Sequence, residues 1–163
     1  ESKSRIESLI SLGEKQAERV LLDGRNAKIE KFESGNFLKP TILDGSPATS
    51  ELTDMEIFGP VLSIVHVRDL DEALLFLEKS RYGNQASLFT SSGAAARRFR
   101  YEAPAGNIWI NIGVAAPMAY FPFSGWKDSF FGDLHAQGGD SVEFYTHKKV
   151  VVERWATEHS RKF

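Results

Sequence analysis

The chain has 163 residues, 42% hydrophobic and 26% charged, with a net charge of −2 and no cysteine. That length suits one domain with its own core, and the composition excludes a disordered chain. Without cysteine there are no disulfides, thiolate metal sites or cysteine nucleophile within these residues; the charge gives no broad pull on nucleic acid, and no apolar run approaches the ~20 residues of a membrane span.

In chain order, residues 2–20 carry helical spacing at Ile6, Leu9, Ile10 and Ala17, with Ser4 and Glu7 spaced as a capping box. Val20-Leu21-Leu22 reads as a short strand stopped by Asp23-Gly24. Phe37 to Leu43 contains Pro40, which cannot donate to a ladder, so it reads as an edge strand or extended segment. Val61 to Val67 is mostly apolar and suits a strand covered on both faces. Asp69 and Glu72 then cap a helix whose apolar face is Ala73, Leu74, Phe76 and Leu77, and Gly83 stops it. Ala86 to Thr90 is a second strand, Ser92 caps a helix through Phe99, Pro104 ends it, and Asn107 to Asn111 is a third strand. Strand, helix, strand, helix, strand predicts an α/β domain with a parallel sheet and right-handed crossovers. Residues 112–141 hold no period and are dense in glycine, proline and aromatics, which marks a functional loop. Lys148 to Trp155 reads as a final β-rich segment around Val150-Val151-Val152.

Few residues announce chemistry by themselves. The histidines at 66, 135, 147 and 159 have no metal-ligand spacing. Ser124 lacks the frame of a nucleophile elbow, and no Gly-x-Gly-x-x-Gly phosphate loop occurs. Arg97-Arg98-Phe99-Arg100 reads as a solvated helix face. The chain opens on Glu1, so a processed terminus or a cut from a larger protein is expected.

Five short motifs occur in one order: Phe37-Leu38-Lys39-Pro40-Thr41, Glu56-Ile57-Phe58-Gly59-Pro60, Tyr82-Gly83-Asn84-Gln85-Ala86, Gly106-Asn107-Ile108-Trp109-Ile110-Asn111 and Pro122-Phe123-Ser124-Gly125-Trp126-Lys127. Each alone is a turn or a strand. In series they resemble the aldehyde dehydrogenase superfamily over nearly the whole chain. The resemblance implies a three-layer parallel-sheet catalytic domain over residues 1–147, cut short, and an oligomerisation strand and tail over 148–163. It also implies that Glu56 accepts hydrogen bonds from the nicotinamide-ribose hydroxyls of NAD, that Phe58 packs near the nicotinamide and that Phe123 lines the substrate funnel. For Phe58 and Phe123 plain core packing is the competing explanation. Asn111 matches the asparagine that closes the preceding strand.

Where most members have Pro-Phe-Gly-Gly-x-Lys-x-Ser-Gly, this chain has Ser124 and Phe130 in place of the first and last glycines. The run from Trp126 to Ala136, with Val142 to Thr146, is similar to the CoA-acylating methylmalonate-semialdehyde dehydrogenase branch. That likeness implies a cytosolic, homo-oligomeric oxidoreductase acting on a small semialdehyde, with NAD as cofactor and coenzyme A as co-substrate, and with no metal, nucleic acid or membrane partner. It places the nucleophilic cysteine, the oxyanion-hole asparagine and the cofactor-binding domain upstream of Glu1, leaving no catalytic residue in this chain and the fragment inactive alone. Two rivals stand beside it: a hydrolytic aldehyde dehydrogenase, and a naturally short non-catalytic binding or assembly module.

Overall fold

The structure, a computed structural model, describes residues 1–113, 116–123, 125–135 and 137–155. It contains two compact units, residues 1–113 with 125–130, and residues 114–124 with 131–163.

The first unit opens with α1 (Ser2–Gln16), which buries Ile6, Ile10 and Gly13. The expected Ser4–Glu7 capping box does not form. Arg5 N already donates to Glu1 O at 3.1 Å, so Ser4 lies inside the first turn and its carbonyl accepts from Ser8 Oγ. The helix stops at Gln16, short of residue 20, because β1 (Arg19–Leu22) pairs antiparallel with β2 (Thr41–Asp44). β2 in turn pairs parallel with β3 (Val61–Ile64). The segment expected at a sheet edge is therefore the centre of a three-stranded sheet. Pro40 sits just outside β2, so the ladder loses no donor, and Thr41, Leu43 and Asp44 are buried.

α2 (Leu70–Lys79) follows, with Asp69 Oδ1 accepting from Glu72 N at 2.9 Å as the spacing predicts. β5 (Gln85–Leu88), α3 (Gly93–Glu102) and β6 (Asn107–Ile110) complete the alternating series, with Ser92 Oγ capping α3 at Ala95 N. β5 and β6 pair parallel in register from Gln85↔Asn107 to Leu88↔Ile110. Leu74, Phe99 and Ala103 form the buried cluster between the helices and this pair, packed by Leu77, Ala86, Leu88, Ile108 and Ile110. Truncating Phe99 to alanine there costs on the order of 3–5 kcal/mol.

The α/β class holds, but its sheets are small and mixed. Among the described residues, 61–64 pair only with β2 and 85–88 only with β6. β3 was expected to be covered on both faces, yet Leu62 is 56% exposed. A further antiparallel pair joins β4 (Tyr82–Gly83) to β7 (Trp126–Lys127).

The second unit contains α4 (Gly139–Tyr145), which begins inside the stretch expected to be an aperiodic loop and runs past its end. Gly138 caps it at φ +66°, and a Cβ there would lie 2.8 Å from Tyr120 O. Residues 147–155 carry no strand ladder among the described residues, so the β-rich segment expected from Lys148 has no partner within this chain's described part. Residues 156–163 of the expected tail lie outside the described residues, as does Ser124.

Candidate functional site

The turn at residues 56–59 is held from both sides. Behind it, the Arg5 guanidinium donates to the Ile57 carbonyl. Gly59 presses on the same helix: a Cβ there would meet Ile6 Cδ1 at 2.8 Å, closer than a real Cβ approaches any neighbour. Ahead of it, Pro60 O accepts from Thr41 N at 2.8 Å and Val61 N donates to Gly59 O at 2.8 Å, which fixes the entry into β3.

Between these anchors Phe58 adopts φ +52° with its side chain 79% exposed. A bulky non-glycine residue in the left-handed region is strained, and such strain persists where surrounding contacts enforce it. A large exposed aromatic in an enforced turn is poor core packing and a good ligand platform. Glu56, two residues earlier, is exposed, and its carboxylate makes no hydrogen bond or ion pair among the described residues. An acceptor free on both oxygens, two residues from an exposed aromatic ring, suits a ligand that offers hydroxyl donors and a flat ring.

Phe58 also borders a slot of about 640 Å³ that runs between β3 and β5 over α2. A second cleft, about 440 Å³ between the 48–54 turn and α2, contains neither Glu56 nor Phe58. Phe123 belongs to the second unit and is 42% exposed. The structure thus brings Glu56 and Phe58 together on one turn and leaves Phe123 as a surface residue of its own unit. No group of His, Asp and Glu able to hold a metal occurs among the described residues, and none of their helices is long and apolar enough to cross a membrane.

Two residues earn a role that the sequence did not single out. Lys127 adopts φ +53° and donates from Nζ to the carbonyls of Leu77, Glu78 and Ser80 at 3.0, 2.9 and 2.8 Å, capping the C-terminus of α2. Arg5 had no signal at all, since its carbonyl partner is 52 residues away. Elsewhere, the Asp44 carboxylate is buried between Arg19 and His66, accepting from Arg19 Nε at 3.1 Å and lying 2.8 Å from His66 Nε2. The guanidinium of Arg19, then the imidazole of His66, hold its carboxyl below the usual range.

Comparison with known proteins extends this picture. The aldehyde dehydrogenase family profile matches residues 1–151. A malonate-semialdehyde dehydrogenase of Halalkalibacterium halodurans is 49% identical over 94% of this chain, which spans 31% of that protein. The methylmalonate-semialdehyde dehydrogenase structure from Oceanimonas doudoroffii superposes with a TM-score of 0.93 at 38% identity, covering 99% of this chain and 33% of that one. A Sinorhizobium meliloti 1021 protein assigned to the same activity, solved with NAD, gives 0.91 at 38% identity over 96% of this chain and 32% of that one. The chain therefore spans about a third of the length of the relatives it matches.

Proposed function

Because this chain belongs to the aldehyde dehydrogenase family, we propose that it is the C-terminal third of an NAD-dependent dehydrogenase that oxidises malonate or methylmalonate semialdehyde and passes the acyl group to coenzyme A. The observation that supports the cofactor part of this reading is the enforced turn that carries both an unpartnered Glu56 carboxylate and the exposed Phe58 ring. The substrate part rests on the likeness to malonate-semialdehyde dehydrogenases.

When bound, NAD supplies the hydride acceptor. Glu56 accepts from the two hydroxyls of the nicotinamide ribose, and a carboxylate acceptor makes these bonds charge-assisted. Phe58 offers its ring to the nicotinamide. Gly59, pressed against Ile6, keeps the turn from retreating when a ligand pushes on it. Phe123 shapes the passage through which the aldehyde enters. The nucleophilic thiolate belongs to the part of the protein outside this chain, which has no cysteine. The segment from residue 148 to 155 contacts a second subunit, and the whole enzyme works in the cytoplasm.

The test is an assay of the longer protein with malonate semialdehyde, NAD and coenzyme A, following NADH absorbance and identifying the product. A CoA ester is expected; free acid in its place assigns a hydrolytic dehydrogenase. The 163-residue chain assayed alone is expected to match a boiled control, and turnover above that control would overturn the fragment reading.

A further inference from the structure

Packing alone does not hold α4 in place. It has 7 residues and buries none of them, and isolated helices below ~12–15 residues are unstable in water. What fastens it lies at its first turn. Asp140 Oδ2 accepts from the His135 main-chain N at 3.3 Å and lies 2.8 Å from His135 Nδ1. The imidazole, then the main-chain N–H, of His135 hold the Asp140 carboxyl below its usual range, which keeps it ionised. An ionised carboxylate only accepts, so the proton between the two side chains sits on Nδ1. The two side chains are 18% and 33% exposed, so water competes for this bond less than it does for a surface pair.

Gly138 stands between His135 and Asp140 and carries the fastening across to another segment of the same unit. Ser141 Oγ donates to Gly138 O at 2.8 Å, and Gly138 N donates to Ala119 O at 3.1 Å. Its bare Cα, at φ +66°, lies against the 120–122 backbone. An added Cβ would come within 3.1 Å of Phe121 C and 3.2 Å of Pro122 N as well as meeting Tyr120 O. Backbone atoms cannot swing aside as a side chain can. Phe121 N closes a turn on Met118 O at 2.9 Å, and Pro122 fixes its own φ, so the placement of 119–122 decides where Phe123 starts.

We propose that His135, Gly138 and Asp140 are positioning residues for aldehyde entry: the His135–Asp140 pair pins Gly138, and Gly138 sets the 119–122 backbone that leads into Phe123. This role rests on the reading of Phe123 as a wall of the substrate passage. None of the three needs to touch the aldehyde. A wall that wanders weakens the hold on the aldehyde in the ground and transition states alike, which raises KM and leaves kcat in place. Glu56 and Phe58 belong to the other unit, so the hold on NAD is not affected.

The experiment varies malonate semialdehyde against the longer protein at saturating NAD and coenzyme A. His135→Phe keeps a ring and deletes the side-chain donor; Asp140→Ala removes the bond from its other end. Each is expected to raise the aldehyde KM roughly 10-fold, with kcat within about 2-fold of the parent and the NAD dissociation constant unmoved. His135→Asn puts a donor back at the δ position and is expected to recover most of the KM. Phe123→Ala, measured beside them, separates the two readings. If it raises KM while His135→Phe and Asp140→Ala do not, the positioning role falls and the passage reading stands. If it leaves KM unchanged, both fall. A His135→Phe enzyme that loses kcat, aldehyde binding and NAD binding together, or that asparagine does not rescue, makes the pair a general structural tie and overturns the proposal. Amide exchange gives a readout free of any activity: the Gly138 and Phe121 amides are expected to exchange at least ~10-fold faster in His135→Phe, and unchanged rates there would also overturn it.

Discussion

Asn111 grips the backbone of Thr90 at both ends: its Oδ1 accepts from Thr90 N at 2.8 Å and its Nδ2 donates to Thr90 O at 3.1 Å. The side chain thereby acts as one more rung of the β5–β6 ladder, one residue past the last paired position. Asn111 sits at φ +59°, where asparagine is tolerated better than most residues. Asn111→Ala removes both bonds and leaves a Cβ residue in the left-handed region. The expected loss is about 2 kcal/mol, discounted because the clamp is exposed to water. Urea unfolding checks it: the midpoint falls and the slope stays unchanged.

Asp44 makes stability depend on acid. Its carboxyl titrates below the ordinary value of 3.8, with Arg19 as the larger cause and His66 the second. A lowered folded-state pKa means that the unfolded chain binds the proton first as pH falls. The stabilisation is thus complete above the unfolded value and drains away as pH drops below about 4 towards the folded value. Asp44→Asn should be less stable than the wild type at pH 6 and lose less on acidification to pH 3. Parallel curves for the two proteins across that interval would show that Asp44 is not responsible.

Lys127, paired with Tyr82 in the β4–β7 ladder, reaches back to the end of α2. Three carbonyls around one ammonium form a charge-assisted cap at the negative end of the helix dipole. Lys127→Met keeps the stem and removes the charge. Exposure limits the expected loss to about 1 kcal/mol, with faster amide exchange confined to the last turn of α2 and to Ser80 and Arg81. Unchanged exchange there would leave the cap without energetic weight.

In the longer protein, Glu56→Gln keeps the shape of the side chain but exchanges one acceptor for a donor and removes the charge. Small misplacements of reacting groups can slow a reaction by about 100-fold. Hydride transfer is expected to fall roughly 10- to 100-fold, on the order of 1.4–2.7 kcal/mol of transition-state stabilisation. The NAD dissociation constant should move less, and a deuterated aldehyde should give a larger isotope effect in the variant. Single-turnover NADH formation at the parental rate would return Glu56 to a plain turn residue.

Val150 and Val152 are 88% and 90% exposed, in a stretch with no ladder partner among residues 147–155. Exposed β-branched residues in extended chain seek an edge. The isolated chain is therefore expected to self-associate, with light scattering reporting species larger than the monomer. Val151→Lys should reduce it; a clean monomer at high concentration for the unmodified chain would remove the support for an intersubunit role.

Local chemistry was legible in the sequence wherever one side chain acts within a turn of its own position. Asp69 and Ser92 cap the helices their spacing announces, and Pro104 follows the end of α3. What failed was non-local. Pro40 suggested an edge, but a proline one residue before a strand leaves the ladder intact, so Thr41–Asp44 could be central. Ser4–Glu7 matched a capping box in a helix that begins earlier. α4 begins at a glycine and buries no residue, so it has no apolar stripe to read. The alternating series predicted one parallel sheet, and periodicity alone could not reveal a gap between β3 and β5. Of the candidate site, the segment carrying Glu56 and Phe58 stood out as a motif, whereas Arg5, which holds that turn, did not.

That dependence on Arg5 and Ile6 also sets an order of events during synthesis. Helix α1 leaves the ribosome some fifty residues before the segment it must brace, yet a helix of 15 residues is marginal in water without packing partners. The brace therefore waits unformed until Phe58 arrives, and the helix and the strained turn take shape together. A chain made without its first sixteen residues would still carry Glu56 and Phe58, with nothing to hold them in that shape.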